Sequence, residues 1–335
     1  MSTTVSNNMI AFNGGSFAFR NKIINGDMLI AQRGTTFSVA VSSQYTVDRW
    51  NVSSEIPARP GRGDITQSND VPNFEFQSSL RFTTTTISNA NTQFLEIEQY
   101  IEGYDARDLI NQPIIVSFWV KSNKTGTYSV HLNNAGNGVT PDRSYVAEYN
   151  INTNNWEKKT IYVSPIDASQ GVWNWTNGRG LKLGFTLAGA SSNVAPLLNS
   201  WVTGDFITSS NQTNLLDTTG NTFLITGVQL EKGPTPTPFE HRPFGTELAL
   251  CQRYFEYGAQ FIDNNVPVTD SNWKVLYSYK VTKRTATPMI TRIAGPAAAS
   301  TGFMSTQNSH WCIIAVNIPS GLNEYGITFN VDAEL

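Results

Sequence analysis

The sequence predicts an all-β protein: an antiparallel, jelly-roll-like β-sandwich followed by a short helix and a small C-terminal β domain. Three observations carry this expectation. Apolar and polar residues alternate with a period of two along most of the chain, the period of a strand with one face in a core. The alternating runs are short and end in Asn, Gly, Ser or Pro, the residues that favour turns. Between Lys22 and Leu230 no helical pattern separates them, as a parallel α/β sheet would require. At 335 residues the chain exceeds a typical single domain. The expected division is an N-terminal arm over 1–20, a sandwich over 21–245, and a helix with a small β domain over 246–335.

Taken in order, the arm is rich in Ser, Asn and Gly with scattered apolar anchors, Met9, Ile10, Phe12, Phe17 and Phe19, too few for a core of its own, so it is expected to order only against a partner. Leu80 and Phe82 (with Thr84) then share a strand face, as do Leu95, Ile97 and Ile101, and Ile114, Val116, Phe118 and Val120. Tyr128, Val130 and Leu132 alternate next, then Trp156 to Val163. Leu181, Leu183, Phe185 and Leu187 stand opposite Lys182, Gly184, Thr186 and Ala188, which predicts one buried and one solvated face. These runs amount to about eight to ten strands. Long loops over 53–74, 133–143 and 188–220 are where binding specificity is expected.

The stretch from Val228 to Glu256 reads as a seam between the two parts. Leu224, Thr226, Val228 and Leu230 are expected on one face of an internal strand, with Phe223 and Ile225 on the other. Pro234, Pro236, Pro238 and Pro243 exclude a helix or central strand and predict a stiff crossover. Thr246 is the expected cap of a helix carrying Leu248, Cys251 and Phe255 on one face, with Gly258 as its terminator. Trp273 to Val281, His310 to Ile318 and Tyr325 to Val331 then alternate as the strands of the C-terminal domain.

Charged residues are only 15% of the chain and the net charge is −3, which leaves no electrostatic footprint for nucleic acid. No apolar run approaches the length of a membrane span, and residues 1–20 lack the basic start and apolar block of a signal peptide, so a soluble protein without a Sec signal is expected. Cys251 and Cys312 read as two buried, reduced thiols.

Candidate chemistry is sparse. His131, His241 and His310 have no second histidine or cysteine at metal-ligand spacing, and His131 and His241 read as structural hydrogen bonders; no cofactor or metal is expected. Glu96 and Glu98 share a strand face in a pattern that suits a carboxylate-pair hydrolase or a calcium ligand set, though a solvated face is the commoner explanation. Arg62-Gly63-Asp64 spells an adhesion tripeptide beside Pro and Gly that suffice for a turn. The more pointed cluster is aromatic. Trp173 and Trp175 lie beside Asn177 and Arg179, with Trp201 a second candidate. Sugar sites need flat apolar faces for C–H stacking together with amide and guanidinium donors, and the competing role for these indoles is core or interface packing.

Several segments resemble recurring signatures of bacteriophage virion proteins of the tail fibre, fibre tip and head fibre kind: IINGDMLIAQRGTTF (23–37), YTVDRW (45–50), IIVSFWVKS (114–122), ITGVQLEKGPTPTPFEHRPFGTELALCQRYFE (225–256) and KRTATPMI (283–290). The VQLE…TPFEHRPFG…ELALCQRYFE block is the specific part. The resemblance implies a carbohydrate-binding-module-like sandwich, a homotrimer and a place on the outside of a phage particle; it implies no catalytic residue. A tail fibre or fibre-tip component that binds a host-surface glycan is the first expectation. The alternative is a head decoration, head fibre or adaptor protein held to other virion proteins by the N-terminal arm. A glycan depolymerase ranks third, for want of a nucleophile or acid–base constellation.

Overall fold

The computed structural model describes residues 19–39, 42–54, 62–89, 93–136, 140–152, 154–263, 271–294, 306–318 and 324–335. Of the expected anchors, Met9, Ile10, Phe12 and Phe17 lie outside the described residues, and Phe19 is exposed.

Thirteen strands form the first part: β1 (Thr36–Ser38), β2 (Ser43–Tyr45), β3 (Asn51–Ser54), β4 (Gly63–Ser68), β5 (Ser79–Thr84), β6 (Leu95–Glu102), β7 (Ile114–Ser122), β8 (Gly126–Asn134), β9 (Arg143–Ile151), β10 (Glu157–Val163), β11 (Arg179–Ala188), β12 (Trp201–Thr203) and β13 (Thr222–Lys232). A one-turn helix α1 (Gly103–Ala106) follows β6. The strands pair antiparallel in two sheets, a six-stranded one in the order β1-β4-β5-β13-β7-β10 and a seven-stranded one in the order β12-β9-β8-β11-β6-β3-β2. Their inner faces meet in one core, with Phe82, Phe118 and Phe223 from the first sheet against Tyr128, Leu183 and Phe185 from the second. Each such fully buried aliphatic or phenyl side chain stabilises the fold by roughly 1.5–3 kcal/mol. The expected antiparallel sandwich is present, with more strands than the eight to ten read from periodicity, because three-residue strands such as β1, β2 and β12 are too short to show alternation.

Two strands depart from the expected faces. In β13 the pairing with β7 slips between Thr226 and Gln229, and Gly227 sits at φ +60°. An extra residue reverses side-chain parity, so Phe223 and Ile225 before this bulge share the core with Val228 and Leu230 after it. Leu224 and Thr226 therefore belong to the opposite face from Val228 and Leu230, contrary to simple alternation. In β11 the face expected in solvent is covered. The 188–220 segment folds back over the seven-stranded sheet, where the Ile207 carbonyl accepts from the Thr186 hydroxyl, the Gly204 carbonyl from Ser144 at 2.5 Å, and the Phe206 carbonyl from Asn133 at 3.1 Å. Neutral Ser, Thr and Asn can be buried on both partners because each bond satisfies a donor and an acceptor. Arg62-Gly63-Asp64 is not an exposed turn: Gly63 opens β4, and Arg62 is buried and donates to the Ile87 carbonyl.

The proline-rich strap is irregular, as expected, and lies along the outer face of β13. Glu231 accepts from the amide and hydroxyl of Thr237 at 2.9 and 2.7 Å, and Gln229 accepts from the Glu240 amide. Helix α2 (Phe244–Gln252) begins at Phe244 after Pro243, so Thr246 lies inside it and is not its cap. Gly258 does not end the helix either. It lies in β14 (Phe255–Asp263), where any Cβ would approach the Phe329 ring to 2.4 Å. Close packing, not a left-handed turn, selects glycine there. The C-terminal part continues as β15 (Ser271–Ser278), β16 (Met289–Ala294), β17 (Thr306–Gln307), β18 (Trp311–Ile318) and β19 (Glu324–Asp332), in two three-stranded sheets, β14-β19-β16 and β15-β18-β17. Tyr277, Cys312, Ile314, Ile327 and Phe329 form its core. Cys251 and Cys312 are both buried and unpaired.

The two parts are bound by charged clamps that run from the sandwich to the chain's last residues. Arg49 is buried, pairs with Glu334, donates to the Tyr100 carbonyl at 2.5 Å and lies 3.5 Å over the Tyr254 ring. Arg33 lies 3.3 Å from both Asp332 and Glu334. Glu102, at the end of β6, accepts from Arg253 at 2.7 and 2.9 Å and from the Tyr254 hydroxyl.

Candidate functional site

The aromatic loop after β10 forms the candidate site. Its backbone is tied at both ends: Val172 donates to Asp142 at 3.1 Å and its carbonyl accepts from Asn134, while Thr176 and Gly178 carbonyls accept from the Tyr104 and Gly103 amides of α1. In between, Asn174 makes a local turn, accepting from both the amide and hydroxyl of Thr176 at 2.9 Å. Gly103 lies directly beneath, where a Cβ would meet the Asn174 carbonyl at 2.3 Å.

This scaffold presents three indoles. Trp173 and Trp175 are stacked, with ring centroids 5.2 Å apart and planes within 7°. Trp201, from β12, meets Trp173 edge-on at 5.7 Å and leans on Tyr145. The indole N–H of Trp173 is used by the Gln170 carbonyl and that of Trp201 by the Ser164 carbonyl. All three rings are partly buried and pack against the sandwich core.

Trp173, Trp175 and Arg179 line one depression of about 840 Å³, together with Asn174, Thr176, Arg284 and Leu335. Arg179 stacks over the Tyr100 ring at 4.2 Å. Trp201 does not line the depression and joins the cluster through its edge-on contact with Trp173. Asn177 is exposed and joins Arg284 through two hydrogen bonds, donating to its carbonyl at 3.3 Å and accepting at its own carbonyl from the guanidinium at 2.9 Å. The structure thus brings four of the five expected residues into one aromatic cluster with its flanking arginine, and places Asn177 at the rim as a tether. Arg284 escaped the sequence reading. It lies 105 residues beyond Arg179 in number, and only the clamps between sandwich and C-terminal part bring it here; no local pattern announces it.

A second, smaller cavity of about 170 Å³ adjoins the first, sharing Ala135 and Arg179, and holds Glu96, Glu98, Lys182 and Asp205. Glu96 and Glu98 are buried, not solvated. Lys182 lies 3.1 Å from Glu96 and 3.2 Å from Glu98, and His131 lies 2.6 Å from Glu96. Burial opposes ionisation of Glu96, yet Lys182 and then His131 outweigh it and hold its carboxyl well below the usual range. For Glu98 burial and the neighbouring Glu96 charge prevail over Lys182, and its carboxyl is pushed up to about 7. The covering 188–220 segment accounts for the burial that alternation alone missed. His131 is a hydrogen bonder as expected, with Asn133 on its other ring nitrogen. His241 instead packs its ring against Phe239 and Phe76. Among the described residues no group of three His, Cys, Asp or Glu has the arrangement of a metal site.

Residues of the 23–37, 45–50 and 225–256 segments, by contrast, bond to one another across the seam. Asn25, at φ 58°, bonds the Ile30 backbone in both directions and the Asp48 carbonyl, and Trp50 donates to the Asn25 carbonyl. Arg242 lies 3.3 Å from Glu240 and 3.2 Å from Glu247 and donates to the Ile23 carbonyl.

Fold and site together define an all-β protein with a jelly-roll-like sandwich and an aromatic, arginine-flanked depression at the junction with a small C-terminal β part. No protein-family model matches the chain. No curated protein matches it either. Among solved structures it is similar to the enzymatically active domain of tailspike protein 4 of bacteriophage CBA120, at 15% identity and a TM-score of 0.36, over 64% of this chain and 22% of that one. It is also similar to the family 11 carbohydrate-binding module of a cellulosomal cellulase of Clostridium thermocellum, at 12% identity and TM-score 0.34, over 61% of this chain and 99% of that one. A third is the CBM22-2 xylan-binding domain of Xyn10C from Paenibacillus barcinonensis, at 14% identity and TM-score 0.32, over 55% and 92% of the two chains. The chain thus spans less than a quarter of the tailspike structure, and at such low similarity none of the three bears on function.

Proposed function

We propose that the protein is a bacteriophage virion structural protein, a tail fibre or fibre-tip component on the outside of the particle, that touches a host-surface glycan without cleaving it. The phage assignment is supported by the VQLE…TPFEHRPFG…ELALCQRYFE signature. The glycan reading is carried by one observation: the stacked Trp173 and Trp175 rings line an open depression beside Arg179 and Arg284, on a loop tied down before any ligand arrives. Pre-organisation of that kind lowers the ordering cost of binding. A single site of millimolar affinity, worth about −4 kcal/mol, becomes useful when a homotrimer presents several copies. Binding without turnover is supported by Glu96 and Glu98, which are sunk beneath the 188–220 segment and engaged with Lys182.

Calorimetry or glycan-array binding of the intact protein, with Trp175→Ala beside it, tests the site. The expected outcome is binding of one or more oligosaccharides that the variant loses by about tenfold or more, in line with removal of a stacking face. Equal binding by the variant would dismiss the depression. Antibody labelling of intact particles tests the location: tail labelling is expected, and capsid labelling would replace the fibre assignment with head decoration.

A further inference from the structure

The depression differs from a neutral sugar platform in its charge. Among its described lining residues are two guanidinium groups, Arg179 and Arg284, and no aspartate or glutamate. Neither arginine makes an ion pair with a described carboxylate. Arg284 spends its donors on neutral acceptors, the carbonyls of Asn177, Ala333 and Glu334 at 2.7 to 2.9 Å, which fix the group without a direct ion pair, the Glu102 carboxylate acting on it only through space. The central guanidinium carbon of Arg179 lies over the Tyr100 ring, 4.2 Å from its centroid. Stacking on a phenol face restrains a guanidinium while leaving its in-plane N–H donors for another partner. Such a pre-oriented fork matches a carboxylate, phosphate or sulfate, for which charge-assisted bonds are about twice as strong as neutral ones.

Of the acidic groups nearby, Glu96 and Glu98 lie in the adjoining cavity, where Lys182 faces both, and Asp142 is engaged by the Val172 amide. Arg179, which also reaches that cavity, and Arg284 are thus both half-buried beside the stacked indoles without a direct ion pair to a described carboxylate. Resting on the glycan reading above, we infer that the depression is selective for acidic saccharides, an anionic sugar whose ring lies on Trp175 or Trp173 while its carboxylate or ester oxyanion meets Arg179, with Arg284 adding to the positive field.

The test is calorimetric titration of the full chain with oligogalacturonate and α2,8-linked oligosialate as carboxylate probes, dextran sulfate oligosaccharide as the ester probe, and cellohexaose and an uncharged dextran oligosaccharide as neutral probes. Arg179→Gln keeps a planar amide without the charge, and Trp175→Ala removes a stacking face; melting curves establish that both variants fold. The expected result is binding of at least one acidic probe about tenfold or more tighter than the neutral ones, weakened by Arg179→Gln and by added salt. The class of acidic probe that binds identifies the oxyanion. Neutral probes binding as tightly, with Arg179→Gln unaffected but Trp175→Ala impaired, would overturn the acidic selectivity and leave the glycan site standing. Binding of no probe would overturn both. Acidic probes that bind equally to Trp175→Ala would mark nonspecific charge attraction and likewise overturn the inference.

Discussion

Glu98 shows how an ordinary residue becomes unusual through its surroundings. Asn51 donates to it at 2.8 Å and Lys182 stands 3.2 Å away, yet burial and Glu96 keep its carboxyl protonated up to about 7, above the ordinary 4.5. A folded-state value raised in this way stabilises the fold below the ordinary value, and the contribution is lost as pH rises through about 7. Glutamine keeps the shape and cannot ionise. The melting temperature of Glu98→Gln, measured against the parent, should therefore rise on going from about pH 5 to about pH 8, whatever constant offset Lys182 contributes. A difference that stays flat across that window would show that Glu98 is ionised throughout. At this scale the sequence exposes the residue types of the site, Trp173, Trp175, Trp201 and Arg179, because flat apolar rings and a guanidinium are recognisable by side-chain type alone. It does not expose the burial of Glu96 and Glu98, which a remote segment imposes.

At the scale of elements, alternation locates the long strands well and fails where the register changes. Nothing in Leu224-Ile225-Thr226-Gly227-Val228 separates a continuous strand from a bulged one except the glycine, and glycine occurs in strands for several reasons. Here φ is +60°, and a Cβ would meet the Phe76 ring at 2.7 Å. Gly227→Val combines a left-handed β-branched residue with overpacking, and chemical denaturation should show a loss of roughly 2–4 kcal/mol. A loss under about 0.5 kcal/mol, the range of an unconstrained surface position, would mean that the bulge relocates freely. The α2 boundaries are legible only to within a turn: the helix begins at Phe244, directly after Pro243, whose ψ of 137° is extended, and not at the expected cap Thr246.

For the whole molecule the decisive contacts join residues far apart in number. Arg49 is buried against Glu334, and removing the carboxylate leaves a charge in the interior with no counterion. Glu334→Ala should cost about 3–5 kcal/mol and release the C-terminal part from the sandwich, seen as earlier proteolysis after Gln252 or as a second thermal transition. A single unshifted transition would assign the joint to other contacts. Tyr257, Leu276, Met289 and Ile293 in the C-terminal part are exposed, and the proposed fibre role entails a homotrimer. Light scattering should return three times the chain mass; a stable monomer at micromolar concentration would count against the trimer.

By itself the sequence determined the all-β class, the strand-strap-helix order of the seam and the aromatic loop, because each depends on neighbours one to four residues away, the range over which periodicity and turn chemistry act. The tertiary structure alone decided that the polar face of β11 is covered, that β13 changes parity midway, and that Arg284 stands across from Arg179. Those outcomes depend on long-range pairing, where a single extra residue or a returning segment changes which side of a sheet meets water.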